Sequence, residues 1–281
     1  MSHVVGLVGD PIGHSLSPAI HGAAFTQLGL DWEYRLLPVP RGSLEAAWPG
    51  LARSWRGFNV TTPHKLVAAR LVQSLTPTAK ICASVNTVTF QAGRSLGDST
   101  DGQGFLNALD RGVDREVAKA VILGTGGVAR SVASALAARG AKVSVVGRNQ
   151  EAGHLLVQDL SGVGPGTVGF GGAGDRSLTE CLAEADLLVN ATSLGGPLYP
   201  ESDPVSAAVQ LAPDLVVFDL VYWPRDTPLR RRVEGSGGRF IDGLEMLVEQ
   251  AALAFSIWTE REAPLGAMRQ AAQRAVAAAV E

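Results

Sequence analysis

One segment restricts the possible folds of this chain more than any other: a glycine-rich turn between an apolar run and a helical pattern. The run Ala120–Leu123 predicts a buried strand, the helical pattern that follows ends at Gly140, and residues 142–146 predict a second strand. Strand, glycine turn, helix and strand in this order are typical of one half of a dinucleotide-binding fold. The alternative, a tight turn in another kind of α/β protein, explains the turn but not its flanks.

The turn itself has the spacing G-x-G-x-x-A. Gly124 permits a tight turn, Gly126 lets the backbone approach a pyrophosphate, and the small Ala129 lets the helix pack on the strand. The phosphates would accept hydrogen bonds from the free N–H groups at the positive end of the helix. The sequence therefore predicts cofactor contacts at Gly124, Gly126, Gly127, Val128 and Ala129.

The end of the second predicted strand indicates which dinucleotide binds. An NAD site usually has an acidic residue here that holds the ribose 2′-hydroxyl. This chain instead has Gly147-Arg148-Asn149, which contains no acid. Because a guanidinium matches the geometry of a phosphate, Arg148 favours NADP over NAD. The alternative is that Arg148 is a solvated surface residue.

Length, charge and cysteine content exclude several classes of function. The 281 residues suggest two domains, and a net charge of −3 offers no basic surface to nucleic acid or an anionic membrane. We expect neither a signal peptide nor a membrane span, because no apolar run is long enough. Two cysteines without a C-x-x-C pattern and scattered histidines predict a cytoplasmic protein without a metal site.

Two serines near the N-terminus form a candidate anion site. After a strand predicted over residues 4–8, the chain passes Ser15 and Ser17 and enters a helical pattern that begins at Pro18. Ser17 is therefore predicted to be the N-cap of that helix, whereas Ser15 lies outside it. Two hydroxyls beside a helix start suit a carboxylate ligand.

A lysine and an aspartate form a candidate catalytic pair. Residues 58–61 predict a strand, and Pro63 begins a predicted helix with Lys65 in its first turn. The helix dipole disfavours a positive charge there, which suits a side chain that donates and accepts a proton near neutral pH. An exposed lysine that bends into water is equally compatible with the sequence. Asp101 precedes another predicted helix. Its carboxylate either caps that helix or pairs with Lys65.

Two amide side chains have apolar neighbours in the sequence, where each needs a hydrogen-bond partner. Asn86 falls in a strand predicted over residues 84–89, and Gln250 lies on a helix predicted over residues 244–258. The partner of each is either the protein or a ligand hydroxyl. An exposed Gln250 is the plain alternative.

The rest of the pattern completes an α/β fold. Further short strands are predicted over residues 185–190, 215–219 and 239–241. Asn190 ends the first of them, and we expect it to face the cofactor because ligands of open α/β sheets lie beyond the carboxyl ends of strands. Residues 91–98 predict a turn region, and residues 162–174, which contain seven glycines, predict a flexible loop.

Taken together, these segments resemble the shikimate dehydrogenase family over nearly the whole chain. The matching segments are Gly9–Pro18, Asn59–Lys65, Ser84–Val88, Thr100–Phe105, Gly124–Arg130, Asn190–Gly195, Asp219–Thr227 and Asp242–Ala251. The resemblance implies an α/β fold of two domains. One is a split N-terminal α/β substrate domain, residues 1–102 and 242–281. The other is an inserted Rossmann-type dinucleotide-binding domain, residues 103–241.

The resemblance also implies an activity and the residues that carry it. The activity is the NADP-linked interconversion of 3-dehydroshikimate and shikimate, a step of aromatic amino acid biosynthesis, with Lys65 and Asp101 as the catalytic pair. The implied substrate contacts are Ser15 and Ser17, which hold the carboxylate, and Asn59, Thr61, Asn86, Tyr222 and Gln250. The implied cofactor contacts beyond the glycine turn and Arg148 are Asn190, Thr192, Ser193, Leu220 and Gly243.

The mechanistic hypothesis is that NADPH supplies a hydride while Lys65, positioned by Asp101, supplies a proton to the developing alkoxide. Three alternatives are open at this point. The same fold could act on quinate or an amino analogue, with NADP or NAD. The chain could be a non-catalytic dinucleotide sensor, or an enzyme like methylenetetrahydrofolate dehydrogenase, which the serine pair disfavours. We expect a small-molecule substrate, no nucleic acid or membrane partner, and a monomer or homodimer.

Overall fold

The computed structural model describes residues 3–278, and the chain divides into two compact units. Unit 1 comprises the chain up to Gly104 together with the chain from Val248 onward, and unit 2 is Phe105–Leu247. Both points of division fall inside helices, α5 (Asp101–Gly112) and α10 (Gly243–Thr259). The predicted fold class, a split α/β unit with a second α/β unit inserted into it, is confirmed. The predicted domain limits, 102/103 and 241/242, stay a prediction.

Unit 1 is built around a six-stranded mixed sheet. Its strands are β1 (His3–Gly9), β2 (Trp32–Pro38), β3 (Gly57–Val60), β4 (Ser74–Leu75), β5 (Thr87–Gln91) and β6 (Arg94–Asp98). They lie in the order β2-β1-β3-β5-β6-β4, with β1 parallel to both β2 and β3. β5 runs antiparallel to β3 and β6. The carboxyl ends of β1 and β3 therefore meet at one edge of the sheet, where the segments that follow them can form a site.

Helices cover the first sheet. They are α1 (Ser17–Gln27), α2 (Leu44–Ser54), α3 (Lys65–Leu71), α4 (Pro77–Cys82), α11 (Leu265–Ala278) and the C-terminal part of α10. One core cluster forms where the apolar side chains of β1, β3 and β5 meet those of α2, α3 and α4, with Phe58, Val60 and Val88 all at most 1% exposed. This burial of branched and aromatic side chains is the main source of stability for the unit.

Unit 2 is built around a six-stranded sheet in which every pairing is parallel. Its strands are β7 (Lys119–Leu123), β8 (Lys142–Gly147), β9 (Thr167–Gly172), β10 (Leu187–Asn190), β11 (Val216–Asp219) and β12 (Arg239–Asp242). Its remaining helices are α6 (Gly127–Ala138), α7 (Gln150–Asp159), α8 (Asp175–Leu182) and α9 (Pro228–Gly235). The order β12-β11-β10-β7-β8-β9 is that of a Rossmann fold, with its switch point between β7 and β10.

The strand β7 of unit 2 contains an uninterrupted apolar run, residues 120–123, because both faces of the sheet are covered there. Val121 and Leu123 pack into one core cluster, whereas Ala120 and Ile122 pack into another. Side chains alternate between the faces of a strand, so a strand buried on both faces carries a continuous apolar run. Among residues 3–278, no helix has the length and apolar character needed to cross a membrane.

The predicted turn region at residues 91–98 is wrong, because β6 occupies residues 94–98. β5 and β6 form an antiparallel hairpin, and the two residues between them, Ala92 and Gly93, have φ values of 50° and 75°. Such left-handed conformations are required by the tight turns that join antiparallel strands. The pairing of β6 with β5, which local composition does not reveal, makes this polar segment a strand.

The predicted flexible loop at residues 162–174 is also wrong. It contains β9, which pairs with β8 along its whole length. Val168 and Phe170 pack against the core cluster, and the glycines that separate them hide this alternation in the sequence. The sequence pattern also gave no indication of the short elements β4, α4, α8 and α9.

Several predicted starting points shift by two or three residues in the structure. α3 begins at Lys65 rather than at Pro63, and the strand predicted from residue 84 begins at Thr87. The Val85 N–H donates to the Lys65 carbonyl oxygen, 3.1 Å away, so the segment before β5 is tied to the start of α3. This bond brings the sequence around Asn86 next to Lys65.

A buried histidine gives unit 1 a dependence on pH. His21 is fully buried in α1, and its ring stacks on that of Tyr34, with 4.5 Å between centroids. Neither ring nitrogen has a hydrogen-bond partner among residues 3–278. Burial therefore lowers the pKa of His21 to about 3, because a charged imidazolium has nothing to compensate its desolvation.

We expect His21→Leu to make the protein less sensitive to acid. The unfolded chain binds a proton at this position below its ordinary pKa of about 6.5, whereas folded His21 stays neutral down to about 3. Native stability is therefore lost as pH falls through this window, by about 2 kcal/mol at pH 5. Urea unfolding at pH 7 and pH 5 should show a smaller loss in His21→Leu than in the wild type. His3→Leu, an exposed histidine of the same unit, should keep the wild-type loss, and an equal loss in all three proteins would contradict the assignment.

Candidate active site

The predicted site residues form two groups, one in each compact unit. The centre of the first group is an ion pair. Lys65 Nζ lies 2.6 Å from Asp101 Oδ2, and the two side chains are only 15% and 5% exposed. The alternative of an exposed lysine is therefore wrong. Lys65 is the first residue of α3 and Asp101 the first of α5, so two helix starts bring the charges together.

Asn86 fixes the aspartate of this pair. Its Nδ2 donates to Asp101 Oδ1 at 2.9 Å, to Thr100 Oγ1 at 2.8 Å and to Gln250 Oε1 at 3.2 Å. Its Oδ1 accepts from the Thr100 N–H at 2.8 Å and the Thr87 hydroxyl at 3.0 Å. Since an amide has two N–H bonds, three acceptors share two protons, and the longest contact, to Gln250, is the one most easily exchanged for a ligand. Asn86 and Gln250 are thus part of the same network.

Asn59 is held in one orientation by its neighbours. The Tyr34 hydroxyl donates to Asn59 Oδ1 at 2.8 Å. Asn59 Nδ2 donates to the Asn86 carbonyl oxygen and to Thr87 Oγ1, both at 3.1 Å. Both N–H bonds are used by the protein, so the second lone pair of Oδ1 is the group that Asn59 offers to a ligand. Tyr34 lies in β2, and the weak alternation of that segment in the sequence did not reveal this contact with Asn59.

Ser15 and Ser17 lie together at the start of α1. The Ser15 hydroxyl donates to Ser17 Oγ at 3.2 Å, and the Ser17 N–H donates to Ser15 Oγ at 3.2 Å. The predicted N-cap role of Ser17 is wrong: Ser17 is the first helical residue, and the N-cap is Leu16, whose apolar side chain makes no capping hydrogen bond. Ser15, which lies outside the helix, instead accepts a hydrogen bond from the Ser17 N–H, one of the N–H groups left free at the helix start. Two hydroxyls therefore remain side by side at a positive helix end.

Close backbone packing joins the serine loop to the segment of Lys65. The Asp10 N–H donates to the Thr62 carbonyl oxygen at 3.0 Å, directly after the parallel strands β1 and β3. A Cβ at Gly9 would overlap Thr61 Cγ2, so only glycine allows this approach. His64, which the sequence analysis treated only as a neighbour of Lys65, is buried with Nε2 2.6 Å from the Val39 carbonyl oxygen and anchors this segment.

The second group lies at the switch point of unit 2. Gly126 is the N-cap of α6 and provides no side chain to cap it, and a Cβ there would meet no atom within 4 Å. Gly124 has a φ of 113°, and its Cα lies close to the Ala191 carbonyl group. Ala129 is fully buried under the sheet. The N–H groups of Gly127, Val128 and Ala129 thus start α6 beside open space, which fits a bound pyrophosphate.

The loop after β10 is organised by two polar side chains. Asn190 Oδ1 accepts from the Thr192 N–H at 3.0 Å and from the Thr192 hydroxyl at 2.7 Å. Asn190 Nδ2 donates to the Leu194 carbonyl oxygen at 3.1 Å, and the Leu194 N–H donates to Thr192 Oγ1 at 3.2 Å. The structure therefore uses the side chains of Asn190 and Thr192 to shape the loop, whereas Ser193 is exposed.

The segment after β11 contains the other predicted residues of unit 2. The Leu220 N–H donates to the Asn190 carbonyl oxygen at 3.0 Å. A Cβ at Gly243 would overlap the Leu220 carbonyl oxygen, so glycine is required there. Burial raises the pKa of Tyr222 to about 12. Asp219, which the sequence analysis quoted only as part of a motif, is fully buried, and this burial raises the pKa of its carboxyl to about 6.

Arg148 lies at the end of β8 and is exposed. It takes part in no ion pair within residues 3–278. A Cβ at the preceding Gly147 would come within 2.8 Å of Thr125 Cγ2, in the glycine turn. Arg148 therefore directly follows Gly147, which packs against the glycine turn. Its exposed guanidinium is available to a phosphate.

Three family profiles match this chain. Residues 7–88 match the shikimate dehydrogenase substrate binding domain, residues 108–243 match shikimate / quinate 5-dehydrogenase, and residues 243–273 match the shikimate 5′-dehydrogenase C-terminal domain. The chain belongs to the shikimate dehydrogenase family. This membership confirms the resemblance found in the sequence and removes the methylenetetrahydrofolate dehydrogenase-like alternative.

Individual proteins show the same similarity. The chain is 43% identical over 277 residues to shikimate dehydrogenase (NADP(+)) of Methanopyrus kandleri, which covers 96% of this chain and 94% of the relative. A crystal structure of a shikimate dehydrogenase in complex with NADP+ superposes with a TM-score of 0.88 at 32% identity, covering 98% and 96% of the two chains. The Thermus thermophilus enzyme in complex with NADP(H) and shikimate gives 0.85 at 34% identity, covering 97% and 99%.

We expect Asn86→Asp to destabilise the protein by about 3 kcal/mol, because it leaves buried groups unpaired and places two carboxylates in contact. The new carboxylate cannot donate to Asp101 Oδ1, which lies 2.9 Å from Nδ2 in the wild type. Urea unfolding at pH 7.5 measures the change. The matched control is Asn149→Asp, an exposed helix N-cap whose oxygen accepts the Ala152 N–H in either form. Equal stability of the two variants would show that Asn86 does not hold the pair.

Proposed function

We propose that this protein catalyses the NADP-dependent, reversible reduction of 3-dehydroshikimate to shikimate, a step of aromatic amino acid biosynthesis. Its curated relatives are named shikimate dehydrogenase (NADP(+)) over nearly the full length of the chain. The observation that carries the mechanism is the ion pair of Lys65 and Asp101, 2.6 Å apart and largely withdrawn from water. A proton donor held in one place by an acceptor-only partner is what reduction of a carbonyl group needs.

Lys65 acts as the general acid in the proposed reduction. NADPH, when bound, supplies the hydride to the ring carbonyl carbon. Lys65 Nζ has three donors, of which one is directed at Asp101, so the others are available to the carbonyl oxygen and donate a proton as negative charge develops on it. In the reverse direction Lys65 accepts the hydroxyl proton. Asp101 keeps Nζ in position and is itself held by Asn86, 2.9 Å away.

The remaining polar groups of unit 1 are proposed to orient the substrate. Ser15 and Ser17, beside the start of α1, bind the carboxylate. Asn59 accepts a hydrogen bond from a ring hydroxyl through the second lone pair of Oδ1, and Gln250 exchanges its long 3.2 Å contact with Asn86 for a ligand hydroxyl. Thr61, Asn86 and, from unit 2, Tyr222 complete the proposed set of substrate contacts.

Unit 2 is proposed to bind the cofactor. The uncapped start of α6, with open space at Gly126, suits the pyrophosphate, and the exposed Arg148 suits a 2′-phosphate. The loop residues Asn190, Thr192 and Ser193, together with Leu220 and Gly243, are proposed to line the rest of the site. We place the functional domain limits at 1–102 with 242–281 and at 103–241, close to the compact units.

Two further proposals concern the protein in the cell. A cytoplasmic location is supported by the low cysteine content, two residues in 281 without a C-x-x-C pattern. The oligomeric state is proposed to be a monomer or a homodimer, which light scattering of the purified protein measures directly.

The nearest alternative keeps the mechanism and changes the substrate. The profile that matches residues 108–243 describes both shikimate and quinate dehydrogenases, and the serine pair fits the carboxylate of quinate or of an amino analogue equally well. Steady-state oxidation of shikimate and of quinate, each with NADP+ and with NAD+, separates these activities. We expect the highest kcat/KM for shikimate with NADP+. A higher value for quinate would favour the alternative, and absence of turnover in all four assays would leave a non-catalytic sensor.

We expect Lys65→Ala to lower kcat by a factor of about 10² or more, as for loss of a general acid. Shikimate oxidation at saturating substrate and NADP+ measures the change. The matched control is Lys80→Ala, because Lys80 is an exposed lysine of the same unit and should leave kcat unchanged. A kcat of Lys65→Ala equal to that of the control would remove Lys65 from the chemistry.

We expect Arg148→Ala to raise KM for NADP+ by about tenfold and to leave KM for NAD+ unchanged, because only NADP+ carries the phosphate that a guanidinium would bind. Initial rates over a range of each cofactor measure both constants. The control is Arg176→Ala in the same unit, whose side chain is 91% exposed. If KM for the two cofactors rose equally in Arg148→Ala, the residue would not select the 2′-phosphate.

A further inference from the structure

A buried carboxylate one strand away from the switch point of unit 2 has no part in the proposed chemistry. Asp219 is the last residue of β11 and is completely buried. It belongs to no ion pair within the described part of the chain, residues 3–278. Burial of a carboxylate without a counter-ion is unfavourable unless several donors hydrogen-bond to it. The positions of those donors indicate what Asp219 does.

Three chain segments converge on this carboxylate. Asp219 Oδ1 accepts from Asn190 Nδ2 at 2.8 Å and from the Val221 N–H at 3.0 Å. Asp219 Oδ2 accepts a longer hydrogen bond, 3.4 Å, from the hydroxyl of Thr227, the N-cap of α9. One side chain therefore ties together the end of β10, the segment that leaves β11 and the start of α9.

The carboxylate also decides which way the Asn190 amide points. A carboxylate only accepts hydrogen bonds, so the NH₂ group of Asn190 must face Asp219 and its oxygen must face the other way. That oxygen accepts both the N–H and the hydroxyl of Thr192, and these bonds shape the loop after β10. With the amide reversed, Asn190 would present an N–H bond to the Thr192 N–H and lose that contact, and its oxygen would face the Asp219 carboxylate.

The loop held in this way borders the glycine turn. The Ala191 N–H donates to the Leu123 carbonyl oxygen at 2.9 Å, and the Ala191 carbonyl group lies against Gly124. The carboxyl ends of β7 and β10, where the strand order reverses, are where dinucleotides bind in open α/β sheets. Asp219 therefore contacts the residues that form the border of the proposed cofactor site, without being part of that border itself.

We infer that Asp219 is a positioning residue for the cofactor: by orienting the Asn190 amide and anchoring the Val221 backbone, it fixes the two loops that line the dinucleotide site and so sets the affinity for NADP. The inference rests on the proposed function for the identity of the ligand. It assigns to Asp219 no contact with the cofactor and no role in proton transfer.

The test is direct binding of NADP+ to the purified full-length chain, measured by isothermal titration without turnover. We expect Asp219→Ala to raise Kd for NADP+ at least about tenfold, as for loss of a buried hydrogen-bond partner. Asp219→Asn should stay within about threefold of the wild type, because its oxygen still accepts from Asn190 and Val221. Kd for shikimate alone should rise by a smaller factor than Kd for NADP+ in Asp219→Ala, because all of its proposed contacts except Tyr222 lie in unit 1.

The matched control is Val217→Ala, a buried position of the same strand that packs in the apolar core and pairs with Leu188 of β10. It should lower the melting temperature and leave Kd for NADP+ unchanged. If Asp219→Ala does not fold, Asp219→Ser replaces it, because its shorter side chain cannot reach Asn190 and Val221 together, and the same tenfold rise is expected.

Three results would overturn the inference: wild-type affinity in Asp219→Ala, equal weakening in Val217→Ala, or an Asp219→Asn variant as weak as Asp219→Ala. Each of these leaves the proposed function intact as long as the wild type binds NADP+ and oxidises shikimate. A wild type that does neither contradicts the proposed function itself. The role of Asp219 is therefore tested by the Kd values of the variants, and the proposed function by binding and turnover of the wild type.

Discussion

A buried carboxylate needs a full set of hydrogen-bond donors, and the proposed active site depends on how this requirement is met. Asp101 receives one donor from Lys65 on Oδ2 and another from Asn86 on Oδ1. Because the Asn86 oxygen accepts the Thr100 N–H, the amide cannot reverse without losing that bond, and the aspartate stays in one place. The lysine is thereby held at the surface of a rigid polar network, which is the condition for a general acid that acts repeatedly in one geometry.

The same arrangement occurs in both compact units. In unit 1 the carboxylate of Asp101 faces the NH₂ group of Asn86, and in unit 2 the carboxylate of Asp219 faces the NH₂ group of Asn190. In each pair the amide oxygen accepts a backbone N–H together with a neighbouring hydroxyl. Each pair lies next to a strand, and its hydrogen bonds hold the adjacent irregular segment in one conformation. The difference is the lysine. Asp101 has one within 2.6 Å and is proposed to position it for catalysis, whereas Asp219 has no ion-pair partner within residues 3–278 and is inferred only to position the loops around it.

The sequence was most informative where a single backbone requirement selects a residue type. Gly124, with a φ of 113°, and the uncapped helix start after it follow from the G-x-G-x-x-A spacing, and the parallel sheet follows from apolar runs that are buried on both faces. It was least informative where pairing with a distant strand decides the outcome. The strands β6 and β9 were predicted as a turn and a loop, because their polar and glycine-rich compositions give no sign of the neighbours that supply their hydrogen bonds.

Residue type and order by themselves indicated the α/β class and the dinucleotide-binding unit, which follow from local backbone and periodicity rules. The insertion of that unit and the catalytic pair were implied by the resemblance to the shikimate dehydrogenase family. Only the tertiary structure decided that Ser15 rather than Ser17 takes the free N–H group, that Tyr34 fixes Asn59, and that Asp219 orients Asn190. These are contacts between side chains and groups whose separation in space is unrelated to their separation in the chain. A hydrogen bond extends over about 3 Å and depends on direction, and neither quantity is encoded in a pattern of residue types.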